Sequence, residues 1–257
     1  MFEYERKNNS ICITKYTDSQ PQIEVPEEID GMTVSEIGDY AFANTEISHL
    51  TLPSSIQRLG RYALYNCSHL TEFSFPGSIR DIGAGAFTGC HHIQKLCVTT
   101  AEDSPSCLRE ILMEIPEELS VEYICPEGTA SLIFPEFFEE SIENTPARII
   151  SIQTHGSGIQ FRNCFLHKKF QFAEYDKCFS FAIVQERFEF LIQLVLKRLR
   201  YPLHLSEQVK DDYTAYLNDH FDEAISYFTK KQDLETISYL MNFRHQHIAP
   251  KTLDFEL

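Results

Sequence analysis

Three stretches of the chain align at a nearly constant period: VSEIGDYAFANTEISHLTL, IQRLGRYALYNCSHLTEFSF and IRDIGAGAFTGCHHIQKLCV. Gly38, Gly60 and Gly83 lie 22 and 23 residues apart, as do Phe42, Leu64 and Phe87. Ile47, Leu70 and Ile93 repeat at 23, and so do Leu52, Phe75 and Val98. Self-similarity of this length is the mark of a stacked-coil architecture. No single unit holds enough apolar side chains for its own core. Stacking buries Ile37/Leu59/Ile82, Phe42/Leu64/Phe87 and Leu50/Phe73/Leu96 as ladders between coils. The three glycines are expected to supply a turn conformation or a close backbone approach that a Cβ would block. Cys67 and Cys90 share one repeat position, which predicts a buried ladder step rather than a redox or metal pair.

The unit resembles the BspA-like leucine-rich repeats, which read roughly I-P-x-x-V-x-x-I-G-x-x-A-F-x-x-C-x-x-L-x-x-I-x-I. The likeness covers about residues 10–98. It includes an opening segment, ICITKYTDSQPQIEVPEEIDGMTVSEIGDYAF, like the usual start of such arrays. Leu64 in place of Phe and Thr45 in place of Cys are the departures. The resemblance implies that the outward face of the strands is the binding surface. Alternation along each strand turns Leu50 and Leu52 inward and their neighbours outward. Two outward rows follow: Gln22, His49, Glu72 and Lys95; then Glu24, Thr51, Ser74 and Cys97. Four strands span only ~15 Å. That is small beside the roughly 800 Å² per partner of a standard interface. Either flanking zones contribute or the array is mainly a scaffold.

Past Val98 the period fades, and residues 99–158 read as an α+β cap over the last repeat, since an uncapped solenoid exposes its core. Ser104 and Pro105 suit a helix start carrying Leu108, Ile111, Leu112 and Ile115. LSVEYICPEGTASLIFP reads as two strands around a turn, PEFFEESIEN as a short helix and ARIISIQ as a strand. Residues 99–145 carry twelve acidic side chains against one basic, Arg109, within a chain of net charge −16. Glu117, Glu118, Glu139, Glu140 and Glu143 are expected on solvated faces, with a docking patch for a basic partner as the alternative. So acidic a chain is unsuited to nucleic acid or an anionic membrane surface.

His155, Gly156, Ser157 and Gly158 form the only glycine-dense loop, followed by Arg162 and Cys164. It could cradle a phosphate, but it lacks the Lys-Ser/Thr end of a P-loop. Cys164 with His155 or His167 could make a nucleophile pair. The bland reading is a turn and helix start that fastens the cap to the helices. If the loop is an enzymatic or nucleotide site, these residues should line one pocket, and Cys164 should alkylate unusually fast. The run from Asn144 to Phe165 (NTPARI, HGSG, FRNCF) also resembles a group of bacterial proteins with N-terminal BspA-like repeats. That likeness implies that the HGSG region matters without assigning it a chemistry.

From about residue 160 a period of 3.6 takes over. Val184, Phe188, Leu191, Ile192, Val195 and Leu199 form one stripe, ended by Pro202. Ser206, then Asn218 or Asp219, then Asp233 are expected helix caps. HFDEAISYFTKKQDLETISYLM resembles an ankyrin-like or other helical-hairpin repeat, and APKTLDFEL starts another helix. The aromatic run Phe161, Phe165, Phe170, Phe172, Tyr175, Phe179 and Phe181 is expected in the core, and His245 and His247 on the surface.

The sequence thus predicts an α+β chain: a repeat solenoid over 1–98, an α+β cap over 99–158 and a helical-hairpin domain over 159–257. Eight cysteines without a CxxC pair, no visible secretory signal and no bilayer-length apolar run are expected of a cytoplasmic protein with reduced thiols. No metal, cofactor or catalytic constellation is called for. The expected role is a protein-interaction or scaffold module. The alternatives are the loop-centred enzyme or nucleotide-binding protein and, were a signal removed, an exported adhesin.

Overall fold

A computed structural model describes residues 1–101, 104–144 and 149–247. Two compact units emerge, Met1–Glu207 and Gln208–Leu257. The compositional changes at 98 and 158 both fall within the first. Among the described residues no helix is long and apolar enough to cross a membrane.

The first unit opens with an antiparallel hairpin, β1 (Phe2–Lys7) and β2 (Ser10–Tyr16). The coils follow through β3 (Gln22–Glu24), β4 (Glu28–Ile29), β5 (Met32–Ile37), β6 (His49–Thr51), β7 (Arg58–Leu59), β8 (Glu72–Pro76), β9 (Asp81–Ile82) and β10 (Lys95–Thr99). Each coil gives one strand to each of two parallel stacks. β3, β6, β8 and β10 build the longer face, while β2, β5, β7 and β9 build the other. Of the predicted ladders, Ile37, Leu59, Phe42, Leu64, Phe87, Leu50, Phe73 and Leu96 are buried, while Ile82, on the last coil of its stack, is only half-buried.

Close approach, rather than positive φ, explains the spaced glycines. A Cβ on Gly60 would fall on the backbone of Gly38 and Asp39, and one on Gly83 on that of Gly60 and Arg61. Backbone cannot swing aside, so Gly60→Ala is expected to lower stability by about 3 kcal/mol, read as a reduced urea midpoint at unchanged slope. The repeated thiol has a simple task. Cys67 Sγ donates to Phe42 O at 3.1 Å and Cys90 Sγ to Leu64 O at 3.0 Å, each satisfying a carbonyl of the preceding coil. Thr45 stands at the same repeat position in the first coil, where it donates instead to Phe42 O of its own coil at 2.8 Å.

Beyond Thr99 the sheet continues. After α1 (Leu108–Glu114), β11 (Leu119–Cys125) pairs parallel to β10, Leu96 opposite Val121 and Val98 opposite Tyr123. The period fades only because α1 replaces the shorter turn of earlier coils. The start of α1 lies later than expected, its N-cap being Cys107 rather than Ser104. β12 (Gly128–Phe134) returns antiparallel and ends the sheet. Its free edge is sealed by Tyr175, whose hydroxyl accepts from Ile133 N at 2.9 Å and donates to Ile133 O at 2.7 Å. An unpaired edge invites foreign strands, and the phenol removes one pair of its open groups.

The helix expected over PEFFEESIEN, residues 135–144, is instead largely a strand. β13 (Phe138–Asn144) pairs antiparallel with β14 (Ile149–His155). Phe138 and Ile142 are four apart, a spacing that suits a helical face and alternate strand positions alike, and the β-branched run of β14 supplies the ladder that decides. α2 (Gly158–Arg162), β15 (Phe165–Leu166), β16 (Lys169–Phe170), α3 (Phe172–Lys177), α4 (Phe179–Gln185) and α5 (Phe188–Arg200) complete the unit. Of the aromatic run, Phe161, Phe170, Phe172, Tyr175 and Phe179 are buried, but Phe181 is 58% exposed. The long stripe is also broken. Val184 is 84% exposed, and Arg187 is extended (φ −72°, ψ 155°) between α4 and α5. Glu186 is drawn off by Ser157, whose Oγ donates to its carboxylate at 2.5 Å.

The second unit holds α6 (Glu207–Asp219), α7 (Phe221–Lys230) and α8 (Leu234–His247). α6 starts directly after Ser206. Asp233 caps α8 as expected, accepting from Thr236 N at 3.0 Å. The N-cap of α7 is His220, not Asn218 or Asp219, and its ring turns back to Tyr216 O at 2.9 Å. The side chains of Glu143, His245 and His247, the NTPARI residues 145–148 and the final APKTLDFEL lie outside what is described.

Candidate interaction surface

Strand register places the two outward rows. Gln22 sits opposite His49, His49 opposite Glu72 and Glu72 opposite Lys95. Glu24, Thr51, Ser74 and Cys97 align in the same way. β11 extends both rows by Ser120 and Glu122, which sequence reasoning missed. The alternation of LSVEYIC, 25 residues after KLCV, was the signal available.

Charge is interleaved along the first row. His49 Nε2 lies 3.7 Å from Glu72, and Lys95 Nζ lies 3.2 Å from Glu122 of the second row. Burial works against the Lys95 charge, but its hydrogen bond to Glu122 and the charges of Glu122 and Glu72 win and raise its pKa. Burial, with Glu122 beside it, pushes the Cys97 thiol up, so it is a neutral contact group rather than a nucleophile.

One end of the face has a wall. α5 packs along β12, and Lys197 Nζ reaches Ser131 Oγ at 3.3 Å. Ser131 pairs with Glu122 across the strands, so this contact is on the outward side. Burial, then Lys95 and Arg200, lower the Lys197 pKa. The acidic zone is no continuous bare patch. Glu117 meets His91 at 2.9 Å, Glu118 meets Arg187 at 2.9 Å and Glu140 meets His155 at 3.4 Å. Glu139 stands exposed on β13.

The glycine loop is built as a clasp. Gly156 takes φ +83°, and a Cβ on Gly158 would fall on the carbonyl oxygens of Pro135 and Glu136. Ser157 is fully buried against Glu186, and the His155 ring stacks on Phe138 at 4.6 Å. Arg162 is also fully buried. Its guanidinium donates to Leu112 O at 2.9 Å, Ile115 O at 2.9 Å, Glu117 O at 2.8 Å, Gly158 O at 3.2 Å and Pro135 O. Burial pulls its pKa down to about 10, still charged at neutral pH. A guanidinium so engaged has no donors left for a phosphate. Cys164 meets Cys178 rather than a histidine, and that hydrogen bond together with burial pushes its thiol far up. The cleft that reaches Cys164 is lined by neither His155–Gly158 nor Arg162.

Comparison with curated proteins gives no match. Among solved structures, a Leucine Rich Repeat protein of T. pallidum is 26% identical at TM-score 0.36, the match covering 41% of this chain and 54% of that one. A leucine rich cell surface protein from Faecalibacterium prausnitzii is 17% identical at TM-score 0.34, with 49% of this chain and 41% of that one covered. The chain therefore spans about half the length of these relatives or less. Residues 15–104 match the family described as BspA type Leucine rich repeat region, in six copies. That stretch coincides with the coils carrying the two rows, so the family likeness and the strand face fall on the same part of the chain.

Proposed function

We propose that the chain is a non-enzymatic interaction module whose outward strand face docks a segment of a protein partner. Leucine-rich repeats generally mediate protein–protein interaction or surface adhesion. The observation that carries the reading is the pair of polar rows, in register over five parallel strands and walled by α5. Five strands span ~19 Å, still short of a standard interface. The face suits a short segment, with the hairpin β13–β14 or the acidic side chains of the flank adding area for a larger partner. The loop from His155 to Gly158, with Arg162 and Cys164, serves as structure in this reading. The cytoplasm, where thiols stay reduced, is the compartment it assumes.

A pull-down from lysate of the source cell with quantitative mass spectrometry tests the assignment. The baits are the wild-type chain and a His49→Ala, Glu72→Ala, Lys95→Ala variant. Three half-exposed polar contacts at about 0.5 kcal/mol each predict roughly tenfold weaker capture by the variant. Equal capture by both baits would move the contact off the strand face, and no partner at all would sink the reading.

A further inference from the structure

The first unit holds a thiol pair that the interaction reading leaves unused. Cys164 follows α2 and Cys178 joins α3 to α4, and their Sγ atoms lie 3.6 Å apart. Each sulfur also points back at a carbonyl four residues earlier, Cys164 at Gln160 O and Cys178 at Glu174 O, both at 3.4 Å. The repeat thiols Cys67 and Cys90 are sealed between coils. This pair instead lines a cleft of about 600 Å³, with Gln160, Asn163, Gln171 and Lys177 among its walls. A disulfide has an S–S length of about 2.05 Å, so closing this pair needs an approach of roughly 1.5 Å from van der Waals contact. Fourteen residues separate the two, so the bond would staple α2, the hairpin β15–β16 and α3 together.

We infer that Cys164 and Cys178 form a reversible thiol–disulfide couple, oxidised by hydrogen peroxide that enters through this cleft. With Cys164 as the donor of the mutual hydrogen bond, the Cys178 thiol is held down and Cys164 pushed up, which makes Cys178 the attacking sulfur. Cys178 as thiolate attacks one peroxide oxygen. An S–O bond forms, the O–O bond breaks, and the departing hydroxide takes the Cys164 proton as water. Cys164 sulfur then attacks the sulfenic sulfur, the S–S bond forms, and the S–O bond breaks to release a second water once protonated. Two thiols lose two electrons and one peroxide gains them. A low-molecular-weight thiol reverses the bond by exchange.

The test takes the reduced, folded chain through hydrogen peroxide, alkylation, digestion and mass spectrometry. A linked pair of peptides joining Cys164 to Cys178 is expected, with an intact mass lower by two hydrogens and full reversal by dithiothreitol. Chain unfolded in urea before oxidation is expected to give at least about tenfold less of that link, because proximity is then lost. In Cys164→Ser, Cys178 is expected to accumulate as a sulfenic acid that dimedone captures, whereas in Cys178→Ser no Cys164 adduct builds up. Recovery of both residues alkylated from the folded wild type would overturn the proposal, whether or not either variant folds. Equal linkage in folded and unfolded chain would overturn it as well.

Discussion

Replacing Arg162 by methionine is expected to cost the first unit about 4–5 kcal/mol. The side chain is fully buried and, among the described residues, its hydrogen bonds go to carbonyls rather than carboxylates. Carbonyl dipoles, with the nearby Glu117 charge, support its own charge. Leu112, in the last turn of α1, and Ile115, its C-cap, offer the orphan carbonyls that every helix end leaves over. Pro135 lies just past β12 and Gly158 opens α2, so one guanidinium gathers three segments that are distant in the chain. Rings of Phe137 and Phe134 lie 4.9 and 6.0 Å from its carbon and cover it. Methionine keeps much of the volume and takes the guanidinium donor away from all five carbonyls. Each unsatisfied buried group costs about 1–3 kcal/mol, partly offset because the buried charge goes with it. Arg162→Lys keeps the charge but offers three donors from one point, so about half the loss is expected. Urea unfolding of the three proteins, followed by far-UV circular dichroism, reads the difference. A midpoint for Arg162→Met within error of wild type would refute the role of the guanidinium as a clasp.

That clasp explains what the sequence could and could not disclose. His155 to Cys164 stood out by composition, since glycine density and an adjacent arginine are real anomalies. Their chemistry was not legible there. Whether an arginine meets a phosphate or a set of carbonyls depends on α1 and the end of β12, which lie 27 to 50 residues away. The strand face was legible for the opposite reason. A repeat converts spacing directly into register, so His49, Glu72 and Lys95 could be aligned by counting. The count failed at β11, where α1 had replaced the usual turn and the interval had stretched to 25. The helix boundaries missed for a third reason. The stripe from Val184 to Leu199 is continuous in period, but Glu186 finds Ser157 twenty-nine residues upstream, and the backbone breaks there to let it. Local pattern gave the elements whose partners are neighbours, and long-range polar contacts set the exceptions.

A second arginine makes the opposite energetic case. Arg198, in the last turn of α5, meets Asp176 of α3 through two parallel bonds, Nε to Oδ1 at 2.8 Å and a terminal nitrogen to Oδ2 at 3.0 Å. Both side chains are essentially inaccessible, at 0% and 1% exposure, so solvent screens nothing. The remaining donors reach Tyr201 O at 3.3 Å and Leu203 O at 3.1 Å, and the Phe172 ring lies 5.4 Å away. Removing the carboxylate takes from a buried cation the partner that holds it by two bonds, so Asp176→Ala is expected to destabilise by about 3–5 kcal/mol. Here, unlike at Arg162, the principal partner is a side chain and can be removed too. Asp176→Leu with Arg198→Met replaces the pair by apolar groups of similar bulk and abolishes both desolvation costs. The two carbonyls at Tyr201 and Leu203 sit at the open end of α5 and lose a donor, so recovery is not complete. A double-mutant cycle over wild type, Asp176→Leu, Arg198→Met and the double variant is therefore expected to show a coupling of at least about 2 kcal/mol. Additive losses would mean that the ion pair does little and that packing of Phe172 and α5 holds this corner of the unit.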